Sequence, residues 1–190
     1  MKKIFIILLI SMSILTGCGT NMNSPTSAVE NYLKKYQDLD GEVTSQLDSV
    51  ISSDISMTDT QKNDYKELMM NQYKNMSYKI VNENLMDEEA EVEVEIEVLD
   101  YASSIGESRI YYNNHRDEFS ETSEDDDSIN DDEDIDNIAS FIDYKIKNMK
   151  NVTNTTKETI TFYLNKVDGE WVVDNLSDID LEKLHGLYEG

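Results

Sequence analysis

The sequence is short of several residue types that decide what a small protein can do. Cys18 is the only cysteine, so no disulfide can form within the chain and no set of thiolates can hold zinc. Only 16 Lys and Arg residues stand against 40 Asp and Glu, and the formal net charge is −24. This charge excludes a nucleic-acid partner, which requires a basic face. It also opposes flat binding to an anionic membrane surface.

The sequence also lacks an apolar run long enough to cross a bilayer as a helix. The longest run, residues 4–15, has twelve mostly apolar residues, whereas a hydrocarbon core of ~30 Å requires ~20. A short apolar run behind Lys2 and Lys3 is typical of a cleavable signal peptide. We therefore predict that residues 1–17 are such a peptide.

The end of this run carries a recognisable motif. Leu15-Thr16-Gly17-Cys18 resembles the lipobox of bacterial lipoproteins. The resemblance implies cleavage before Cys18 and a diacylglyceryl group (with acyl chains such as palmitate) on its thiol, and it also explains an odd cysteine in an exported chain. A chance cysteine after an ordinary signal peptide is the alternative. We expect a lipid-anchored chain at the outer face of the cell membrane, with residues 18–23 as its tether.

Residues 24–190 have the length of one domain with a real core, and three helices are predicted at its start. Ser24-Pro25 supplies an N-cap followed by proline at the first helical position. A second apolar stripe follows Gly41. Thr58 with Gln61 three residues later forms a capping-box pattern for the third helix.

The apolar period then changes from helical to alternating. Residues 90–98 alternate without a fault, which predicts a strand with its valines and Ile96 in the core and its glutamates in water. Residues 76–80 predict its hairpin partner. Residues 160–164 and 171–173 predict a second hairpin closed by Asp168-Gly169, and Ser177 predicts the cap of a short last helix.

Between the hairpins the composition changes. Twelve of the twenty residues from Asp117 to Asp136 are acidic, and such a run repels itself and buries little. We expect an acidic insertion at about 101–134 that forms a mobile loop. An amphipathic helix is predicted after it, from Ile135 to Met149.

The order of elements resembles the NTF2-like (cystatin-like) domains of small bacterial lipoproteins. Two segments carry the resemblance: residues 24–29 at the start of the first helix, and residues 166–173, which contain Asp-Gly-x-Trp. It implies an α+β fold: a curved antiparallel sheet of about four strands packed on N-terminal helices, with the acidic loop and a helix inserted between two hairpins. It also implies a cone between helix and sheet. The candidate residues lining this cone are Tyr78, Val94, Ile96, Phe162 and Trp171.

Catalytic motifs are missing from the sequence. There is no Gly-x-Ser-x-Gly, no His-Glu-x-x-His and no phosphate-binding glycine loop. His115 and His185 are predicted to lie at the surface or to cap helices, and no acid interrupts the core-facing strand positions. Further tyrosines could line a pocket or fill the core: Tyr101, Tyr111, Tyr112 and Tyr163.

The acidic run is the one unusual chemical feature. Asp126, Ser128 and Asn130 follow the spacing of calcium ligands at loop positions 1, 3 and 5. An EF-hand is excluded because Asp131 stands where it needs glycine and Asn137 where it needs glutamate. Weak Ca²⁺ binding therefore remains an alternative to a solvated loop, and no other cofactor is expected.

These observations favour a non-enzymatic binding or interaction module at the cell envelope, held to the membrane through its lipid and open to an envelope protein partner. The alternatives are a small-molecule carrier or an isomerase- or dehydratase-type enzyme that uses the cone, and weak calcium binding by the acidic loop. An enzyme would need an acid–base group held inside the cone.

Overall fold

A computed structural model describes residues 24–119 and 138–190. These residues form an α+β fold, as predicted, with an open four-stranded antiparallel sheet. The helices are α1 (Pro25–Gln37), α2 (Gly41–Ser53), α3 (Asp59–Asn75), α4 (Tyr101–Asn114), α5 (Ala139–Lys150) and α6 (Asp178–His185), with a short 3-10 helix at Arg116–Glu118. The strands are β1 (Ser77–Met86), β2 (Glu89–Leu99), β3 (Thr155–Val167) and β4 (Glu170–Val173).

The sheet consists of two hairpins joined side by side. Its strand order is β1-β2-β3-β4, and every neighbouring pair is antiparallel. The connection between β2 and β3 carries α4 and α5. Backbone N–H of Lys166 donates to the carbonyl of Glu88 at 2.8 Å, which brings the two hairpin turns to the same end of the sheet.

Strand β2 confirms the alternation predicted from its sequence. Val92, Val94, Ile96 and Val98 are at most 1 % exposed, and the intervening glutamates lie on the other face. Val92 pairs with Phe162 and Val94 with Ile160, so the same face of β3 is also apolar and fully buried. Burial of each large apolar side chain contributes roughly 1.5–3 kcal/mol, which makes this face the main source of the fold's stability.

Helix α1 lies across the core face of the sheet, packed on β1, β2 and β4. The Ser24 side chain accepts from the backbone N–H of Ser27, as its predicted N-cap role requires. Backbone N–H of Thr26 donates to the Glu83 carboxylate at 3.0 Å, and at the other end the Gln37 amide donates to the Met76 carbonyl at 2.8 Å. The N-terminus of α1 therefore lies at the hairpin-turn end of the sheet.

The predicted loop was wrong over its first residues, because residues 101–114 form α4. Asp100 caps this helix by accepting from the backbone N–H of Ser103 at 3.0 Å. The helix packs against α5 through aromatic rings, and Phe119, counted in the acidic run, is 6 % exposed among them. These aromatic residues do not recur at helical spacing, so the search for apolar stripes did not predict this helix. Residues 120–134 of the predicted loop lie outside the described residues.

Candidate functional site

The five candidate cone-lining residues lie together on the helix-facing side of the sheet. Val94, Ile96 and Phe162 have 0 % exposure, Trp171 has 6 %, and Tyr78 is half-buried opposite Ile96. A side chain with no exposed surface has no neighbouring space for even a water molecule. A ligand would reach Val94, Ile96 or Phe162 only by displacing the side chains packed on them.

Aromatic rings from α1 occupy the hollow above these strands. The Tyr32 ring meets the Phe162 ring edge-on, with centroids 5.7 Å apart. Tyr36 follows one turn later, and its ring centroid is 5.6 Å from that of Tyr32. Both tyrosines are at most 7 % exposed. The cone implied by the resemblance is thus filled by side chains along this stretch of α1.

The rings continue from α1 through α3 to α6. Tyr36 and Tyr73 pack edge-on with centroids 5.1 Å apart, and Tyr73 and His185 follow at 5.6 Å. The hydroxyls of Tyr32 and Tyr36 are 3.4 Å apart. We call Tyr32, Tyr36, Tyr73 and His185 the tyrosine–histidine row. It connects three elements through the core.

Two atoms of this row have no hydrogen-bond partner among the described residues. They are the Tyr73 hydroxyl and Nε2 of His185. Buried polar groups are nearly always paired, because an unpaired one costs about 1–3 kcal/mol. A neutral phenol donates and a neutral imidazole accepts at one nitrogen. The two groups are therefore complementary as donor and acceptor.

Burial moves the pKa values of the row away from neutrality. It raises the pKa of Tyr36 and of Tyr73 well above the ordinary value for a phenol. It lowers the pKa of His185 to about 4. General acid–base catalysis is most efficient when the pKa lies near the working pH. At neutral pH the row is uncharged and poorly tuned for proton transfer.

The backbone around His185 is fixed by a buried amide. Nε2 of Gln72 donates to the carbonyls of Leu99 and His185, both at 2.9 Å, and Oε1 accepts from the backbone N–H of Leu99 at 2.8 Å. Gly186 ends α6 in the left-handed region (φ 70°), where a Cβ would collide with the Leu99 carbonyl and the Gln72 amide. We call this set of contacts the Gln72 junction.

An open cleft of about 440 Å³ lies beside this junction. Its walls include Asp100, Ser103, Glu158 and Tyr188, together with Glu189, which accepts a 2.6 Å hydrogen bond from Arg109. None of the candidate cone-lining residues contributes to it. Its carboxylates and aromatic ring would suit a small cationic molecule rather than an anion.

The outer face of the sheet carries a row of glutamates along β2. Nζ of Lys157 lies 3.1 Å from Oε1 of Glu95 and 4.0 Å from Oε2 of Glu97. The hydrogen bond to Glu95 raises the pKa of Lys157. Within residues 24–119 and 138–190, no three His, Cys, Asp or Glu side chains are arranged to hold a metal ion.

Four sequence-predicted site residues lie outside the described residues. They are Cys18 and the calcium candidates Asp126, Ser128 and Asn130. None of the helices in the described ranges has both the length and the apolar character to cross a membrane.

The surface prediction was wrong for His185, which is 4 % exposed. Leu181 and Leu184 precede it by four residues and one residue, so the apolar face of α6 could have revealed its burial. His115 is half-buried and stacks on Tyr111 with ring centroids 4.0 Å apart. Gln72, which holds the junction, follows Leu68 by four residues and Met69 by three, so the apolar face of α3 could have revealed its burial but not its hydrogen-bond partners.

The other candidate tyrosines divide between core, helix packing and surface. Tyr101 is fully buried, and its hydroxyl donates to the Leu68 carbonyl at 3.3 Å. Tyr111 and Tyr112 pack in the aromatic contact between α4 and α5. Tyr163 is 55 % exposed on the outer face of the sheet. None of them lines the 440 Å³ cleft.

Comparisons with known proteins give no relative from which to transfer a function. No family model matches the chain, and no curated protein or solved structure matches it either.

Proposed function

We propose that this protein is a lipid-anchored, non-enzymatic binding or interaction module at the outer face of a bacterial cell membrane. The observation that carries the proposal is Cys18, the sole cysteine, which ends Leu15-Thr16-Gly17-Cys18 directly after a short apolar run. A diacylglyceryl group on this thiol would supply the two acyl chains that stable membrane attachment requires. A protein partner at the envelope, rather than nucleic acid, suits the net charge of −24.

The interior of the domain supports a non-enzymatic role. Val94, Ile96 and Phe162 are fully buried, and burial holds the pKa values of Tyr73 and His185 far from neutrality. We also propose that the domain is NTF2-like. The order of three helices, a hairpin, an inserted segment and a second hairpin with Asp168-Gly169 at its turn supports this assignment.

The anchor is tested by changing Cys18 to Ser in cells fed an alkyne-tagged fatty acid. We expect the variant to lose the tag and to remain unprocessed or be shed from the membrane fraction. Thr20→Ser, two residues beyond the motif, is the matched control and should keep the tag. Full labelling of the Cys18→Ser protein would refute the anchor.

A small-molecule carrier, or an isomerase- or dehydratase-type enzyme, is the second candidate function. The unpaired Tyr73 hydroxyl and Nε2 of His185 favour it, because both are buried polar atoms in the core and the two rings pack together. Thermal unfolding of residues 22–190 with a small-molecule library tests it, since a ligand at 100 times its Kd adds ~2.7 kcal/mol. A stabilising compound whose effect disappears in Tyr73→Phe would establish the site. Equal stabilisation of the variant would place the compound elsewhere.

Weak calcium capture by Asp126, Ser128 and Asn130 is a third candidate that rests on ligand spacing alone. If Asp126, Ser128 and Asn130 bind Ca²⁺, millimolar Ca²⁺ should shift the NMR amide resonances of residues 117–136 and leave the other resonances unchanged. The matched control is Mg²⁺, which demands a tighter octahedral site. An unchanged spectrum with Ca²⁺ would remove this candidate.

A further inference from the structure

The chain enters the domain at the hairpin-turn end of the sheet. Ser24 precedes α1, and both the backbone N–H and the hydroxyl of Thr26 donate to the Glu83 carboxylate, at 3.0 and 2.6 Å. Glu83 lies four residues before Asp87, where β1 turns into β2. The tether that leads from Cys18 to Ser24 is therefore attached beside the two hairpin turns.

The same end of the sheet exposes a group of apolar side chains. Leu85 is 59 % exposed, Met86 42 %, Tyr163 55 % and Val167 42 %. We call these four residues the apolar tip. Leu85, Met86 and Val167 flank the two hairpin turns, which a backbone hydrogen bond from Lys166 to Glu88 holds together, and Tyr163 lies four residues before Val167. Leu85 is on the helix-facing side of the sheet, and the other three are on the outer side. Grouped exposed apolar residues of this kind mark protein or membrane contacts.

The remaining exposed apolar residues show a different distribution. Val81, at the irregularity of β1 between Ile80 and Asn82, is the one nearest the tip in sequence. Ile55, Ile110 and Ile179 lie singly in or beside helices. Single exposed apolar residues are normal on any protein surface, so these three serve as internal controls for the tip.

The tether is short compared with the size of the domain. Five residues lie between Cys18 and Ser24, and the six steps along the chain allow at most ~20 Å when fully extended and ~13 Å on average for a flexible chain. Leu85 follows Glu83, the partner of Thr26, by two residues, or ~7 Å along a strand. A lipid on Cys18 would therefore keep the tip within reach of the bilayer surface.

We propose that the apolar tip contacts the lipid bilayer that holds Cys18. Leu85 and Met86 enter the boundary between headgroups and acyl chains, and the Tyr163 ring lies at headgroup level, where its hydroxyl stays hydrated. The inference rests on the proposed lipid anchor. Because the tether makes the contact intramolecular, a small apolar area is enough to orient the domain.

The charges around the tip define which bilayer it fits. Asp87, Glu88 and Glu89 directly follow Met86, so an anionic surface repels this end of the domain. The contact is apolar in origin. It should therefore be strongest on zwitterionic lipid and weaker when anionic lipid is added, with salt restoring part of the loss.

Fluorescence quenching on the full lipidated protein in vesicles tests the contact. Cys18 is the only native cysteine and its thiol is acylated under the proposal, so Asn84→Cys, between Glu83 and Leu85, takes a single fluorescent label. We expect lipid-attached nitroxides in phosphatidylcholine vesicles to quench this label roughly twofold more than a label at Ile110→Cys. Added phosphatidylglycerol should reduce the difference. Equal quenching at the two positions would overturn the inference.

A paired substitution identifies the residues responsible. Leu85→Ser with Met86→Ser in the Asn84→Cys protein should lower quenching to the level at Ile110→Cys, whereas Ile179→Ser should leave it unchanged. Unchanged quenching in the double variant would also contradict the proposal. So would a disulfide-linked dimer of the unlabelled Asn84→Cys protein together with no lipid quenching of the labelled protein, since a second copy would then cover the tip.

Failure of the anchor is recognisable in the same samples. Mass spectrometry of the N-terminal peptide shows whether Cys18 carries acyl chains, and flotation shows whether the protein stays with the vesicles. Absence of acyl chains defeats the proposed function and the inference together. Acylated, vesicle-bound protein with no preferential quenching defeats only the inference.

Discussion

The sheet half of the domain and the α4–α5 pair are held together in different ways. In the sheet half, buried apolar side chains alternate strictly along β2 and β3. Between α4 and α5, rings stack at irregular spacing, as in Tyr111 with Tyr144 at 5.0 Å. Alternation buries one continuous face, whereas stacked rings join two helices locally. The comparison implies that the sheet half controls global stability and the α4–α5 pair controls a smaller unit.

The largest expected effect tests the sheet half. Phe162 on β3 has 0 % exposure and packs against Tyr32. Phe162→Ala leaves a cavity there and should lower the free energy of unfolding by about 3–5 kcal/mol. Tyr163→Ala, the exposed neighbour on the same strand, is the control, with an expected change within about 0.5 kcal/mol. Urea unfolding measures both. Equal losses of unfolding free energy would mean that the two faces of β3 contribute equally to stability.

Acid should weaken the sheet half through His185. The pKa of His185 is about 4 in the folded state and ~6.5 when unfolded, so the unfolded state binds more protons between these values. Stability is complete above about pH 6.5 and falls as the pH decreases towards 4, by on the order of 3 kcal/mol. The loss ends once the pH is below both values.

Urea unfolding of His185→Phe across this pH range measures that contribution. The variant should lose a large part of the decrease between pH 6.5 and 4, while the titration of the carboxylates remains. His115→Phe removes the other histidine, in the α4–α5 half, and is the matched control. A pH profile of His185→Phe that coincides with the parent profile would show that His185 is not the group responsible.

A smaller and local effect should follow Phe119→Ala. Phe119 contacts the rings of Tyr111, Tyr112, Phe141 and Tyr144. Its loss should cost on the order of 2 kcal/mol, less than Phe162→Ala, because two helices can close the gap more readily than a sheet. Hydrogen exchange should accelerate in α4 and α5 while β2 stays protected. Uniform acceleration in all elements would mean that the domain is one cooperative unit.

The smallest effect is expected on the outer face of the sheet. Lys157→Ala removes an ion pair with Glu95 in which the lysine side chain is 59 % exposed. Solvent and side-chain entropy offset most of the attraction in such pairs. The urea midpoint should therefore not change measurably, in low or high salt. A clear decrease confined to low salt would show that Lys157 relieves repulsion along the glutamate row.

The sequence predicted the parts of the fold that follow local rules of capping and alternation. The N-cap at Ser24, the capping box of Thr58 with Gln61, and the core face of β2 were all confirmed. Each rests on a local rule that needs no knowledge of distant residues. The α+β class followed because the segments predicted in this way also occur in the expected order.

The candidate site was less predictable because its groups come from distant elements. Tyr73 and His185 are far apart in sequence, and neither has a pattern that indicates an unpaired polar atom. Helix α4 was missed for a related reason. Its rings face α5, so the apolar content of residues 101–119 becomes meaningful only when both helices are considered together.

The Gln72 junction makes the completion of this domain depend on the order of synthesis. The Gln72 amide has its partners at Leu99 and at His185, which is 113 residues further along the chain. A growing polypeptide can form both hydrogen bonds between Gln72 and Leu99 once β2 has emerged, but the bond to the His185 carbonyl must wait for α6. A chain shortened before α6 lacks the acceptor at His185 and leaves a donor of Gln72 unmatched. Completion of the Gln72 junction therefore depends on α6.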